Sequence, residues 1–136
     1  MRSRTLSLTL GAAVLVGGGI FGVTPAQAAE PQCPKGALCL YEDIDFKKAK
    51  QEAWLSAGTR YHDLGQINDW VSSIANNTEF VVRVYQDKNE KGKYIKLYPG
   101  DALSDLRSVV IYNADGSYFG VNTFNDRASS IWASYG

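Results

Sequence analysis

The sequence predicts a single all-β domain of the sandwich or barrel kind, and three observations predict it. Short runs rich in β-branched and aromatic residues recur along the chain, segments with turn chemistry separate them, and no stretch sustains a 3.6-residue apolar rhythm for three turns. With 136 residues, 45% of them hydrophobic and 12% aromatic, the chain is sized for one domain with a true core. Its 14 Lys and Arg balance 14 Asp and Glu, which excludes the broad basic surface that dominates nucleic-acid affinity.

The chain opens with an export signal at residues 1–28. Arg2 and Arg4 supply the positive start, residues 6–23 form an apolar stretch broken by Gly17-Gly18-Gly19, and Ala26-Gln27-Ala28 is a small-x-small cleavage site. The glycines weaken a helix and the cleavage site follows promptly, so the segment reads as a removed signal rather than a membrane anchor. The expected product is one secreted domain, residues 29–136, slightly acidic once Arg2 and Arg4 are gone, monomeric, and with no second apolar span. Cys33 and Cys39 follow at once, in a compartment where thiols oxidise. They predict a disulfide across a tight loop, contributing about 2 kcal/mol by chain entropy. A metal-binding pair is the competing reading, but His62 is the single histidine and zinc takes four such ligands.

Strands are expected at residues 38–41, 79–85, 93–98 and 108–112, where Val, Ile, Leu and Tyr concentrate. Lys-Asn-Glu-Lys-Gly, Tyr-Pro-Gly-Asp and Asn-Ala-Asp-Gly-Ser supply the turns between them. Residues 49–55 are expected to form one short helical turn.

An internal repeat carries the chemistry. Asn68-Asp69-Trp70-Val71-Ser72-Ser73-Ile74 recurs as Asn125-Asp126-Arg127-Ala128-Ser129-Ser130-Ile131, identical at five of seven positions. The plain reading is an Asx turn used twice, since Asn and Asp side chains bond their own backbone. The sharper reading is a hard-cation site: calcium takes six to eight oxygens from carboxylates, amides, hydroxyls and carbonyls, and Asn, Asp and Ser supply that set. So short a loop cannot surround the ion alone. Two aromatic strand ends entering acidic turns, Tyr41-Glu42-Asp43-Ile44-Asp45-Phe46 and the run from Tyr85 through Gln86 to Gly92, are placed to complete it.

With these motifs the chain resembles a βγ-crystallin domain, in which two Greek keys each pair an aromatic-x4-aromatic-x-Gly hairpin with an Asn/Asp-Asn/Asp-x-x-Ser/Thr-Ser loop. Both loops match in full, and the hairpins match in part. Tyr41 and Phe46 fit while Lys48 replaces the glycine; Tyr85 and Gly92 fit while Glu90 replaces the second aromatic. Lys48 therefore implies an altered or strained first turn. The resemblance implies an all-β sandwich of two Greek-key motifs binding two Ca2+ ions, the loop of one motif facing the hairpin of the other. Carried onto this chain, one site would use Asn68, Asp69 and Ser72 with the carbonyl of Gln86, and the other Asn125, Asp126 and Ser129 with the carbonyl of Glu42. Arg127 implies that the second site is the weaker.

The signal followed by Cys33-Pro34-Lys35-Gly36-Ala37-Leu38-Cys39-Leu40-Tyr41 is similar to the start of the secreted proteins grouped as peptidase inhibitor family I36. That resemblance implies an alternative role, inhibition of an extracellular metalloprotease through a loop between residues 108 and 123. The second motif runs longer there, from Tyr85 to Asn125, than the first does from Tyr41 to Asn68. No second cysteine pair straps such a loop.

An enzyme is not expected. His62-Asp63 suggests an oriented base, but no nucleophile motif accompanies it, and Asp43 and Asp45 read as an acidic turn rather than a glycosidase pair. Asn76-Asn77-Thr78 matches a glycosylation sequon. Trp54, Trp70 and Trp132 could form a sugar platform, with packing into the core or its corners the favoured role.

Overall fold

The computed structural model describes residues 30–135, so the export signal read at residues 1–28 lies outside the described residues. Ten strands follow in order: β1 (Ala37–Asp43), β2 (Lys47–Trp54), β3 (Arg60–Tyr61), β4 (Ser73–Asn76), β5 (Val81–Asp87), β6 (Lys91–Leu97), β7 (Ala102–Leu103), β8 (Val109–Tyr112), β9 (Tyr118–Asn122) and β10 (Ser130–Ser134). They build two antiparallel sheets, one of four strands in the order β2-β1-β4-β7 and one of six in the order β3-β10-β5-β6-β8-β9. The all-β class and the sandwich are as expected. Among the described residues no helix is long and apolar enough to cross a membrane.

The order of strands shows two interlocked Greek keys. The first repeat supplies β1, β2 and β4 to the four-stranded sheet and lends β3 to the edge of the other, where it pairs with β10. In return the second repeat lends β7, which pairs with β4. The extra length of the second repeat is the β8–β9 hairpin, which extends the six-stranded sheet beyond β6.

Period-two alternation places the core between the sheets. Leu38, Leu40 and Ile74 come from one sheet and Val82, Val84, Ile95, Leu97 and Ile131 from the other, with Leu106 and Phe124 fully buried among them. Each such side chain contributes about 1.5–3 kcal/mol on burial. A second, smaller cluster lies under the N-terminal staple: Ala37, Cys39, Tyr41 and Ala75 with Cys33 and Phe46. Cys33 and Cys39 form the expected disulfide, their Cα atoms 5.8 Å apart.

One element differs from expectation. Residues 49–55 form no helical turn, because β2 takes them up as an edge strand paired with β1 from Lys50–Tyr41 to Trp54–Ala37. The helix-forming Lys, Gln, Glu and Ala residues there yield to the ladder hydrogen bonds, as strand propensity commonly yields to context.

Candidate functional site

The repeated loops lie side by side and are tied by reciprocal backbone bonds: Asp69 N–H donates to the Ala128 carbonyl at 3.1 Å, and Asp126 N–H to the Val71 carbonyl at 3.0 Å. Both aspartates hold left-handed backbones, φ 66° at Asp69 and 59° at Asp126, which Asp tolerates better than most residues. Each loop then docks on the hairpin of its own repeat. Ser72 N–H donates to the Tyr41 carbonyl at 2.9 Å and Ser129 N–H to the Tyr85 carbonyl at 2.8 Å.

The second serine of each loop clamps the folded hairpin. Ser73 Oγ donates to the Asp43 carbonyl (2.6 Å) and accepts from Phe46 N–H (3.1 Å), and Ser130 Oγ donates to the Asp87 carbonyl (2.6 Å) and accepts from Glu90 N–H (2.9 Å). The ladders shift register at Glu42 and at Gln86, which leaves both residues without a cross-strand partner.

These contacts keep each aspartate beside the expected hairpin and set it with the serine of the other loop. Ser129 Oγ donates to Asp69 Oδ1 at 3.1 Å, so Asp69 of the first loop stands with Ser129 of the second and, through Tyr85, beside Gln86. Asp126 stands by Val71 and Ser72, and through Tyr41 beside Glu42. It is the aspartate that crosses between repeats, while loop and hairpin of one repeat stay together. The physical reason is the backbone bond from each first serine to its own tyrosine.

Two acceptors in this region stand out. The Oδ1 atoms of Asn68 and Asn125 are buried and have no hydrogen-bond partner, at the same position of each repeat. Orphaned buried carbonyl oxygens cost about 1–3 kcal/mol each, and two at equivalent positions fit an oxygen-seeking cation. Asn125 turns its Nδ2 to Asp126 Oδ2 at 3.0 Å, which leaves the oxygen inward. Among the described residues no three His, Cys, Asp or Glu side chains gather, so such an ion would rest on amide, hydroxyl and backbone oxygens with one carboxylate each.

The segment before the first loop is a strap that sequence reasoning missed. Glu90, which holds the place of the second aromatic in its hairpin, buries its carboxylate against His62 Nδ1 (2.8 Å) and Arg60 (3.7 Å). Asn89 N–H donates to the His62 carbonyl at 2.8 Å, and Lys88 meets Asp63 at 3.1 Å. His62 is thus a partner of Glu90. The Gly65 N–H and Lys88 hold the Asp63 carboxyl below its ordinary range.

Asn76, the expected sequon asparagine, is 1% exposed and fully hydrogen-bonded, so the sequon is structural in this fold. Of the tryptophans, Trp70 packs against the core and Trp132 stands between Arg60 and Arg83, but Trp54 is 56% exposed on edge strand β2 and lies outside the core.

Two interlocked Greek keys, each with a serine-clamped hairpin and an Asn-Asp loop, define a βγ-crystallin-type domain. A βγ-crystallin from Ciona intestinalis is 30% identical, with a TM-score of 0.51 over 71% of this chain and 96% of that chain. A structure concerned with the evolution of the eye lens βγ-crystallin domain fold is 19% identical, with a TM-score of 0.57 over 85% and 95%. The family model for peptidase inhibitor family I36 matches residues 26–97, more than half of the chain, and the chain belongs to that family. No curated protein matches it. The family is one of peptidase inhibitors, a non-enzymatic kind.

Proposed function

We propose that the protein is a secreted βγ-crystallin-type domain stabilised by two calcium ions, and that it acts as a peptidase inhibitor. The observation that carries the calcium reading is the pair of buried, partnerless Oδ1 atoms on Asn68 and Asn125. Asp69, Ser129 and the carbonyl of Gln86 would hold one ion, and Asp126, Ser72 and the carbonyl of Glu42 the other, with the two asparagines turning their orphan oxygens toward them. A bound ion supplies charge that relieves these oxygens and ties the two repeats together. One carboxylate per ion suits the weak range of extracellular modules, a Kd of about 10⁻⁴ M. Free calcium at about 10 mM is then about 100-fold above Kd and stabilises by about 2.7 kcal/mol per site, several degrees of Tm. Melting curves in calcium and in chelator test this; identical curves remove it.

Family membership favours inhibition. The inserted β8–β9 hairpin, within residues 108–123, offers a contact element: Tyr118 is 64% exposed and Val121 59%. Secretion is supported by the Cys33–Cys39 disulfide. A metalloprotease assay with micromolar protein, on the sample used for melting, is the test. Slowed turnover supports inhibition, and rapid cleavage within residues 108–123 marks a substrate instead.

A further inference from the structure

The outward face of the six-stranded sheet carries a cationic row whose ladder register can be read strand by strand. Arg60 on β3 pairs with Trp132 on β10, Trp132 with Arg83 on β5, and Arg83 with Lys96 on β6. The Tyr94–Tyr112 pairing then sets Val110 of β8 beside Lys96, and Val110 pairs with Val121 of edge strand β9. The row therefore runs from three cations and a tryptophan into two exposed branched aliphatics, Val110 at 44% and Val121 at 59%.

Two features of this row suit an anionic ligand. Arg83 and Lys96 are like charges directly opposite each other, an arrangement that destabilises a sheet. Among the described residues neither has a carboxylate partner, whereas Arg60 has Glu90, and the Lys96 Nζ rests on aromatic faces alone, 5.0 Å from the Tyr112 ring and 5.8 Å from the Tyr98 ring. In addition the Arg83 guanidinium lies 5.1 Å from the Trp132 ring and 5.2 Å from the Tyr94 ring, with its Nε buried and without a hydrogen-bond partner. Two aromatic walls fix the guanidinium plane, and a fixed fork loses little entropy on meeting an oxyanion.

We infer that Arg83 and Lys96 form an oxyanion-binding site for a carboxylate carried by an acidic polypeptide segment. Charge complementarity selects the carboxylate. The polypeptide is selected by what adjoins it: both neighbours of Trp132 along the row are guanidinium groups, at 4.6 Å and 5.1 Å, so a sugar ring is denied the tryptophan's faces. Val110, Val121 and Tyr118 instead present the apolar contacts that amino-acid side chains match. The site is separate from the calcium loops, and although its apolar end shares Tyr118 and Val121 with the hairpin proposed for inhibition, its cations lie on β5 and β6, so binding at Arg83 and Lys96 is scored independently of both.

The test is a nuclear magnetic resonance titration of the purified protein with poly-L-glutamate at physiological salt, with polygalacturonate and inorganic sulfate in parallel. Poly-L-glutamate is expected to shift the Arg83 Nε–H and Trp132 indole signals saturably. Arg83→Gln and Lys96→Gln should each weaken binding about tenfold, as loss of a hydrogen bond to a charged group does, while Lys35→Gln on the distant N-terminal loop leaves it unchanged. Lys96→Gln decides the matter should Arg83→Gln lower the Tm. Absence of shifts, equal weakening by Lys35→Gln, equal or tighter binding of polygalacturonate, or response to sulfate alone would each overturn the inference.

Discussion

Asn76 ties the end of β4 to two other segments. Its Nδ2 donates to the carbonyls of Phe80 (2.8 Å), Tyr98 (3.1 Å) and Leu97 (3.2 Å), and its Oδ1 accepts from Thr78 N–H (3.1 Å) and Thr78 Oγ1 (2.6 Å). Truncation would strand several buried partners at once, so Asn76→Ala should cost about 3 kcal/mol in urea unfolding, far above an exposed change such as Asn77→Ala. Tyr41 presents the opposite case, a buried hydroxyl with no partner. Burial first and Glu52 second push its phenol above the ordinary 10.0. A raised value in the folded state means that stability is intact below pH 10.0 and is lost as pH rises through the folded value. Tyr41→Phe should gain about 1 kcal/mol near neutrality and abolish this residue's share of the alkaline loss, read from urea curves at pH ~7 and ~11.

The two hairpins are the same element built with different residues. Asp45, Phe46 and Lys48 in the first and Asn89, Glu90 and Gly92 in the second all hold positive φ, with Lys48 at 66° opposite Gly92 at 79°. The first hairpin covers its tyrosine with an aromatic, Phe46 edge-on to Tyr41 at 5.5 Å, and the second recruits Arg60 and His62 around Glu90. Lys48→Gly should therefore raise stability by about 1 kcal/mol, and Gly92→Ala should lower it by at least as much because the new Cβ would meet the Asp87 carboxylate; thermal unfolding of both checks the pair. The strain at Lys48 was legible because the repeat pattern asks for glycine there. Strands β1, β5, β6 and β8 were legible from their β-branched and aromatic runs. β9 was not, since Tyr118, Phe119, Val121 and Asn122 are all exposed and leave no alternation to read, and β3 and β7, at two residues each, are too short to carry a period. β2 misled because its Lys, Gln and Glu residues favour a helix, and only pairing with β1 makes a strand of them.

At the scale of the molecule, the exchange of β3 and β7 between repeats decides which residues meet. Leu64 N–H donates to the Ser129 carbonyl and Leu106 N–H to the Ser72 carbonyl, both at 3.0 Å, so each loop is lined by a segment of the other repeat. The repeat picked out the loop residues, and no local signal could show which of them meet, because that depends on this exchange. Asp69 contacts Ser129 across repeats, whereas a loop-by-loop division would set Asp69 with Ser72. The double variant Asp69→Ala with Ser129→Arg separates the two divisions by calorimetric calcium titration. With the crossed grouping both changes fall on one ion, so one binding event should survive; with a loop-by-loop grouping each ion loses a ligand and both events should vanish. The surviving event should also be the tighter. Arg127 and Lys93 line a recess of about 200 Å³ with Gln86 and Asn122, so the unfavourable cations share a recess with Gln86, on the side that the double variant removes. Charge repulsion across that recess weakens with salt, and the gap in affinity between the two events in the unaltered protein should therefore narrow as ionic strength rises.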